Sequence, residues 1–104
     1  MKIVKVKEAE GCLESTNAKD LLFDGAITEE LVRALAEFSG GKLIIRRELA
    51  KPFFRILARG KFTLQGSLSN KTARLYLPEN STGEDELSFL YELLTKYSAK
   101  QSDN

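Results

Sequence analysis

Histidine and tryptophan are absent from the sequence, and cysteine occurs once, as Cys12. Without histidine the chain has no Ser-His-Asp triad, no Cys-His pair and no zinc site that uses an imidazole. One cysteine excludes an intramolecular disulfide, a Cys-x-x-Cys motif and a four-thiolate cluster. Glu10 and Glu14 flank Cys12. Because nearby carboxylates disfavour a thiolate, we expect this cysteine to be unreactive.

Long apolar runs are missing as well. None approaches the roughly twenty residues that a helix needs to cross a bilayer. The segment from Met1 to Lys7 alternates lysine with apolar residues, and it offers no continuous apolar stretch of the kind found in signal peptides. From these features we expect a cytoplasmic protein that does not associate with membranes.

Carboxylates are the remaining candidates for catalysis or metal binding, and their spacing favours neither. Glu84, Asp85 and Glu86 are consecutive, but acids at the start of a helix stabilise the helix dipole. Asp20 and Asp24 are four residues apart, and no third hard ligand stands at a fixed spacing from them. We therefore expect no enzymatic activity, no metal ion and no cofactor.

The composition is that of one globular domain. Of the 104 residues, 42% are hydrophobic and 30% are charged, a mixture that builds one core with a solvated surface. The sequence shows no repeat and no linker composition, so we predict a single domain over residues 1–99. Residues 100–104 contain nothing apolar to bury, and we expect them to fray.

Two segments have the pattern of amphipathic helices. In the first, Thr28 is placed to cap the helix, Glu29 and Glu30 occupy its first turn, and Ser39-Gly40-Gly41 ends it. In the second, Ser81 and Glu84 match a capping box. The apolar stripe of that second helix contains Leu87, Leu90, Leu94 and Tyr97.

The region between the helices alternates with a period of two residues, which is typical of strands with one buried side. A branched run around Leu43 to Ile45 predicts one strand. We divide the long alternating stretch that follows into two strands, about 53–58 and 61–68, joined by a turn in which Gly60 forms a G1 bulge. Thr72 to Leu77 alternates again. Phe62 lies on the inward row and is predicted to be among the most buried side chains.

The N-terminal third is less regular. Residues 3–7 predict a short strand, whereas residues 9–25 are ambiguous. Asn17 to Phe23 is compatible with a short helix that ends at Gly25, and Leu21-Leu22-Phe23 is compatible with a strand. The expected fold is an α+β two-layer sandwich, in the order β-(irregular)-α-β-β-β-β-α. It has an antiparallel sheet of four to five strands and two helices on one side.

Charge is unevenly distributed along the chain, although the net charge is only +1. Residues 1–39 contain five Lys or Arg and eight Asp or Glu, and residues 78–104 contain two and six. Residues 40–77 contain nine Lys or Arg and a single acid, Glu48. If the inward rows of the strands face the helices, part of this basic block lies on the other side of the sheet.

The basic side of the sheet is the candidate binding site. We predict that it carries Arg46, Arg55, Arg59, Lys61, Arg74 and Tyr76. Basic residues interleaved with an aromatic one suit contacts with phosphates and stacking with a base. Basic residues are also common on plainly solvated strands, where they deter pairing with other chains.

The region between Leu43 and Ser67 combines alternating strands with four residues typical of hairpins, Arg46, Gly60, Lys61 and Gly66. This region, about a quarter of the chain, resembles the central hairpin in one half of the TATA-box-binding protein family. The resemblance implies a similar open sheet, the side with which that family binds DNA. Leu57 stands where that family has a kinking phenylalanine, and the chain has one such half and an additional strand. Shared architecture alone does not transfer function.

The sequence therefore predicts a small non-catalytic binding domain. In the first hypothesis, the basic side of the sheet binds an anionic partner, such as nucleic acid or an acidic protein surface. In the alternative, the protein is structural or self-associating, and the same side is the interface of a homo- or hetero-oligomer. Salt separates the two, because phosphate binding weakens steeply with ionic strength whereas an apolar interface does not.

Overall fold

The structure is a computed structural model that describes residues 1–8, 17–48, 50–58, 61–78 and 81–102, with the backbone alone for 100–102. The described residues form six strands and two helices. In chain order these are β1 (Ile3–Glu8), β2 (Ala18–Phe23), α1 (Glu29–Ser39), β3 (Lys42–Arg46), β4 (Phe53–Ala58), β5 (Phe62–Ser67), β6 (Thr72–Tyr76) and α2 (Glu84–Ser102).

All six strands belong to one antiparallel sheet, in the order β1-β2-β6-β5-β4-β3. The predicted α+β class is confirmed, but the sheet has six strands instead of the expected four to five. The additional strand is β2, so the strand interpretation of Leu21-Leu22-Phe23 is right and the helix interpretation is wrong. The physical reason is pairing: β2 forms hydrogen bonds with β1 on one side and β6 on the other.

The long alternating stretch forms two strands, as predicted. β4 and β5 pair from Phe53 opposite Ser67 to Ala58 opposite Phe62. The N–H of Lys61 donates to the carbonyl oxygen of Ala58 at 2.9 Å and closes the turn between them. The predicted G1 bulge falls on Gly60, which lies outside the described residues, as does Arg59.

Helix α1 begins and ends as its sequence predicts. The Thr28 hydroxyl accepts a hydrogen bond from the N–H of Leu31 at 3.1 Å, which makes Thr28 the N-cap. At the other end Gly40 adopts a left-handed conformation with φ of 69°, which costs little only without a β-carbon.

Helix α2 begins differently from the prediction. The Ser81 hydroxyl accepts from the N–H of Gly83 at 2.9 Å and bonds to the Glu86 carboxylate, so Ser81 and Glu84 do not form the expected capping box. Gly83 has a φ of 90°, and its carbonyl oxygen accepts the first hydrogen bond of the helix, from Leu87. The helical backbone extends to Ser102.

The core lies between one side of the sheet and the two helices. Ile56, Leu64 and Leu75 from the strands are buried together with Leu35 from α1 and Leu90 from α2. Their burial supplies the main stabilisation of the fold.

Phe62 is buried as predicted, at 6% exposed, but Phe23 and Phe54 are buried more deeply, at 2% and 0%. Phe62 is the first residue of β5, beside the turn, and its ring contacts that of Phe89 at a centroid distance of 6.1 Å.

Phe53 and Phe54 are neighbours on β4 that point to opposite sides of the sheet. Substituting each of them tests which side of the sheet faces the core. We expect Phe54→Ala to cost about 3–5 kcal/mol of unfolding free energy, because it leaves a cavity in the core. Phe53→Ala, whose ring is half-buried on the other side, should cost about 1 kcal/mol. Urea denaturation measures both, and equal losses would show that the two sides have been assigned wrongly.

Candidate functional site

The side of the sheet that points away from the helices is not covered by any element in the described part of the chain. We call it the open face. The strand register arranges its side chains in three rows that run across the strands. One row contains Lys42, Leu57, Thr63 and Tyr76; the central row contains Ile44, Arg55, Gln65, Arg74, Asp20 and Lys7; the third contains Arg46, Phe53, Ser67, Thr72, Leu22 and Lys5.

The central row is held together by hydrogen bonds between side chains. The Nε–H of Arg55 donates to Oε1 of Gln65 at 3.1 Å, and Nε2 of Gln65 donates to the Tyr76 hydroxyl at 3.3 Å. On the next strands, the Nε–H of Arg74 donates to Oδ1 of Asp20 at 2.9 Å. Gln65 therefore links a cation to an aromatic ring at the centre of the open face.

Asp20 is the acidic residue that the sequence analysis did not place on this side of the sheet. Its side chain is 28% exposed and that of Arg74 is 36% exposed, so the two charges form a partly shielded ion pair. Because the carboxylate offsets the guanidinium, Arg74 adds less positive potential than a solvated arginine would. Local pattern alone does not locate Asp20, because Leu21 to Phe23 are consecutive apolar residues and the pairing of β2 with β6 decides its position.

Two more predicted site residues lie on the open face. Arg46 is exposed at the end of β3, and its Nη1 atom lies 3.5 Å from Oε1 of Glu48. The backbone N–H of Glu48 itself, followed by the Arg46 guanidinium, lowers the pKa of that carboxyl below its usual value. Arg55 is exposed on β4, three strands away from Asp20 on β2.

Lys61 does not lie where the sequence analysis expected it. Its ammonium nitrogen lies 4.6 Å from the ring centroid of Phe89, a residue of α2, so the side chain points toward the helical layer. The alternation of β5 begins at Phe62, and the turn before it breaks the pattern on which the expectation for Lys61 rested. Of the predicted set, Arg46, Arg55, Arg74 and Tyr76 lie on the open face and Lys61 does not.

Three lysines that were not in the predicted set lie on the open face. Lys5 and Lys7 of β1 pair with Leu22 and Asp20, and Lys42 of β3 pairs with Leu57. All three side chains are exposed. The basic character of the open face is therefore assembled from two distant parts of the chain, and charge counting along the sequence identified only one of them.

A shallow groove of about 470 Å³ lies on the open face. Its walls include the rings of Phe53 and Tyr76, with Gln65 between them, and Arg74 and Lys7 line it as well. Both rings are half-buried. The groove thus offers two aromatic surfaces, an amide, two cations and the Asp20 carboxylate to a ligand.

A second basic cluster joins the layers. Glu29 at the start of α1 accepts from Arg47 at 2.7 Å and from Arg33 at 2.7 Å. The hydrogen bond from Arg47 and then that from Arg33 lower the pKa of this carboxyl below its usual value. Because the Arg47 guanidinium is paired with Glu29 of α1, it does not contribute to the positive charge of the open face.

Comparison of the chain with protein-family models, with curated proteins and with solved structures found no match. The local resemblance to the TATA-box-binding family therefore gains no support from a solved structure. No helix in the described part of the chain has both the length and the apolar character needed to span a membrane.

The Glu29 cluster makes a pH-dependent contribution that is measurable. Because the folded-state pKa of Glu29 lies below the unfolded value, its ion pairs stabilise the fold above that unfolded value. This stabilisation is lost as the pH falls through the folded-state pKa. We expect Glu29→Gln to lower the urea midpoint at pH 7 and to have no effect in acid, once the wild-type carboxyl is protonated. Glu37→Gln, the same change on an exposed position of α1, is the control. An equal effect of Glu29→Gln at both pH values would contradict the assignment.

Proposed function

We propose that the protein is a non-catalytic binding domain whose open face binds an anionic macromolecule, with nucleic acid as the partner that fits best. One observation carries this proposal. Among the described strand residues, the open face presents one acid, Asp20, and six basic side chains, Lys5, Lys7, Lys42, Arg46, Arg55 and Arg74. Lysine and arginine neutralise phosphates and release their counterions, and this supplies most of the affinity of non-specific binding.

The distribution of these charges favours one part of the open face. Lys42, Arg46 and Arg55 lie on β3 and β4, three or four strands away from Asp20 on β2, and Glu48 offsets part of the charge of Arg46. Phosphates near β2 would be repelled by the Asp20 carboxylate. An anionic chain is therefore expected to lie mainly over β3, β4 and β5. The near-neutral net charge of the protein predicts weak binding that is sensitive to salt.

Two substitutions on the open face should change binding in opposite directions. Arg55→Gln removes a cation and should weaken binding of a fluorescent oligonucleotide. It should also reduce the slope of log K against log salt by about 0.7–0.9. Asp20→Asn removes the repelling carboxylate and retains an oxygen that accepts from Arg74, and it should strengthen binding. The measurement is fluorescence anisotropy at a series of salt concentrations.

Arg33→Gln is the matched control, because Arg33 is exposed on α1, in the other layer. It should leave affinity and salt slope unchanged. If the wild type binds no oligonucleotide even at low ionic strength, the proposal is wrong. If Arg33→Gln weakens binding as much as Arg55→Gln, the anion binds elsewhere.

A second candidate function is self-association through the open face. It is favoured by the apolar side chains Leu22, Ile44 and Leu57, which are half-buried there. Side chains of this kind are typical of the centre of an interface between subunits. Sedimentation at low and high salt tests it: an apolar dimer would persist at high salt and would dissociate when Leu57 is changed to Glu.

A further inference from the structure

Phe53 and Tyr76 lie on opposite sides of Gln65. Gln65 is on β5, Phe53 is on β4 opposite Ser67, and Tyr76 is on β6 opposite Thr63. The two aromatic residues are therefore displaced in opposite directions along the strands, and the line between them crosses the sheet diagonally. Strands lie about 4.8 Å apart and rise about 3.3 Å per residue, which places the two α-carbons about 16 Å apart.

From this arrangement we infer that the partner is a single-stranded nucleic acid, which crosses the open face along the diagonal from Phe53 to Tyr76 and stacks one base on each ring. The inference rests on the proposed function and specifies its ligand. It follows from the chemistry of the two rings. Aromatic side chains bind the flat faces of bases, and these are accessible only where bases are unstacked. In a duplex the neighbouring base pairs, about 3.4 Å apart along each strand, cover those faces.

The polar groups around the two rings fit the rest of a nucleotide chain. The Nε–H of Arg55 donates to the side-chain oxygen of Gln65. This Nε–H is one of the five N–H donors of an arginine side chain. Lys42, Arg55 and Arg46 form a column of cations on β3 and β4, in which Arg46 is paired with the exposed Glu48 carboxylate at 3.5 Å. The sugar–phosphate backbone is therefore expected to pass these cations beside Phe53 and then to cross β5 toward Tyr76.

The test compares three fluorescent or competing probes at low salt: a single-stranded oligothymidine, a duplex of the same length, and inorganic polyphosphate, which carries charge without bases. Wild type should bind the single strand more tightly than the duplex. Phe53→Leu and Tyr76→Leu should each weaken single-strand binding by about 5- to 100-fold. They should leave polyphosphate binding and the salt slope unchanged, because they remove no charge.

Two controls separate stacking from general damage. Tyr91→Leu removes an exposed ring, 45% accessible on α2, and should have no effect on any probe. Tyr76→Phe keeps the ring and loses the hydroxyl that accepts from Gln65. It should therefore bind the single strand nearly as well as wild type, while Tyr76→Leu does not. Thermal melting of each variant establishes that it is folded at the temperature of the assay.

Tyrosine fluorescence gives a second readout, since the chain contains three tyrosines and no tryptophan. Stacking of a base on Tyr76 should quench part of this emission in wild type and in Tyr91→Leu, but not in Tyr76→Phe. If duplex and single strand bind equally and the leucine variants bind like wild type, the inference fails and the proposed anion binding stands. If neither oligonucleotides nor polyphosphate bind at low salt, the proposed function fails as well.

Discussion

Phe54, Ile56, Leu64 and Leu75 lie on adjacent strands beneath the two helices, and their burial fixes which way every other side chain of the sheet points. Successive residues of a strand alternate between the two sides, so a shift of one residue in any pair would exchange the buried row for the charged one. The continuous register across the four strand pairs from β2 to β3 prevents such a shift there. The open face is thus a consequence of the core: its charges are where they are because leucine and phenylalanine occupy the alternate positions.

The strands from β4 to β6 could be predicted from sequence because each alternates cleanly and short turns join them, and β3 could be predicted from its branched apolar run. β2 could not be predicted with the same ease. Leu21, Leu22 and Phe23 are consecutive apolar residues, and Asp20 and Asp24 have a spacing that also suits a helix. Residues 18–23 form a strand because they pair with Arg74 and its neighbours on β6, which are distant in sequence. Long-range pairing of this kind overrides local preference.

The candidate site, like the fold, could be predicted only in part from the sequence. Arg46, Arg55, Arg74 and Tyr76 follow from the alternation of their strands. Lys61 was misplaced because it belongs to a turn, where alternation does not apply, and its ammonium group lies over the Phe89 ring. The contributions of Asp20, Lys5 and Lys7 depend on where β1 and β2 sit in the sheet, which the order of elements along the chain does not specify.

The sheet ends at β1 on one side and at β3 on the other. Strands at such edges have unpaired backbone groups that can recruit further chains into fibrils. In β3, Lys42 and Arg46 bracket the apolar residues Leu43 to Ile45. A second copy aligned antiparallel about Ile44 would bring Lys42 next to Arg46, and like charges opposite each other are unfavourable. In β1, the register shifts between Ile3 and Lys5, which interrupts a straight ladder. The cations that suit the open face to an anionic partner thus also protect the protein against edge-to-edge aggregation.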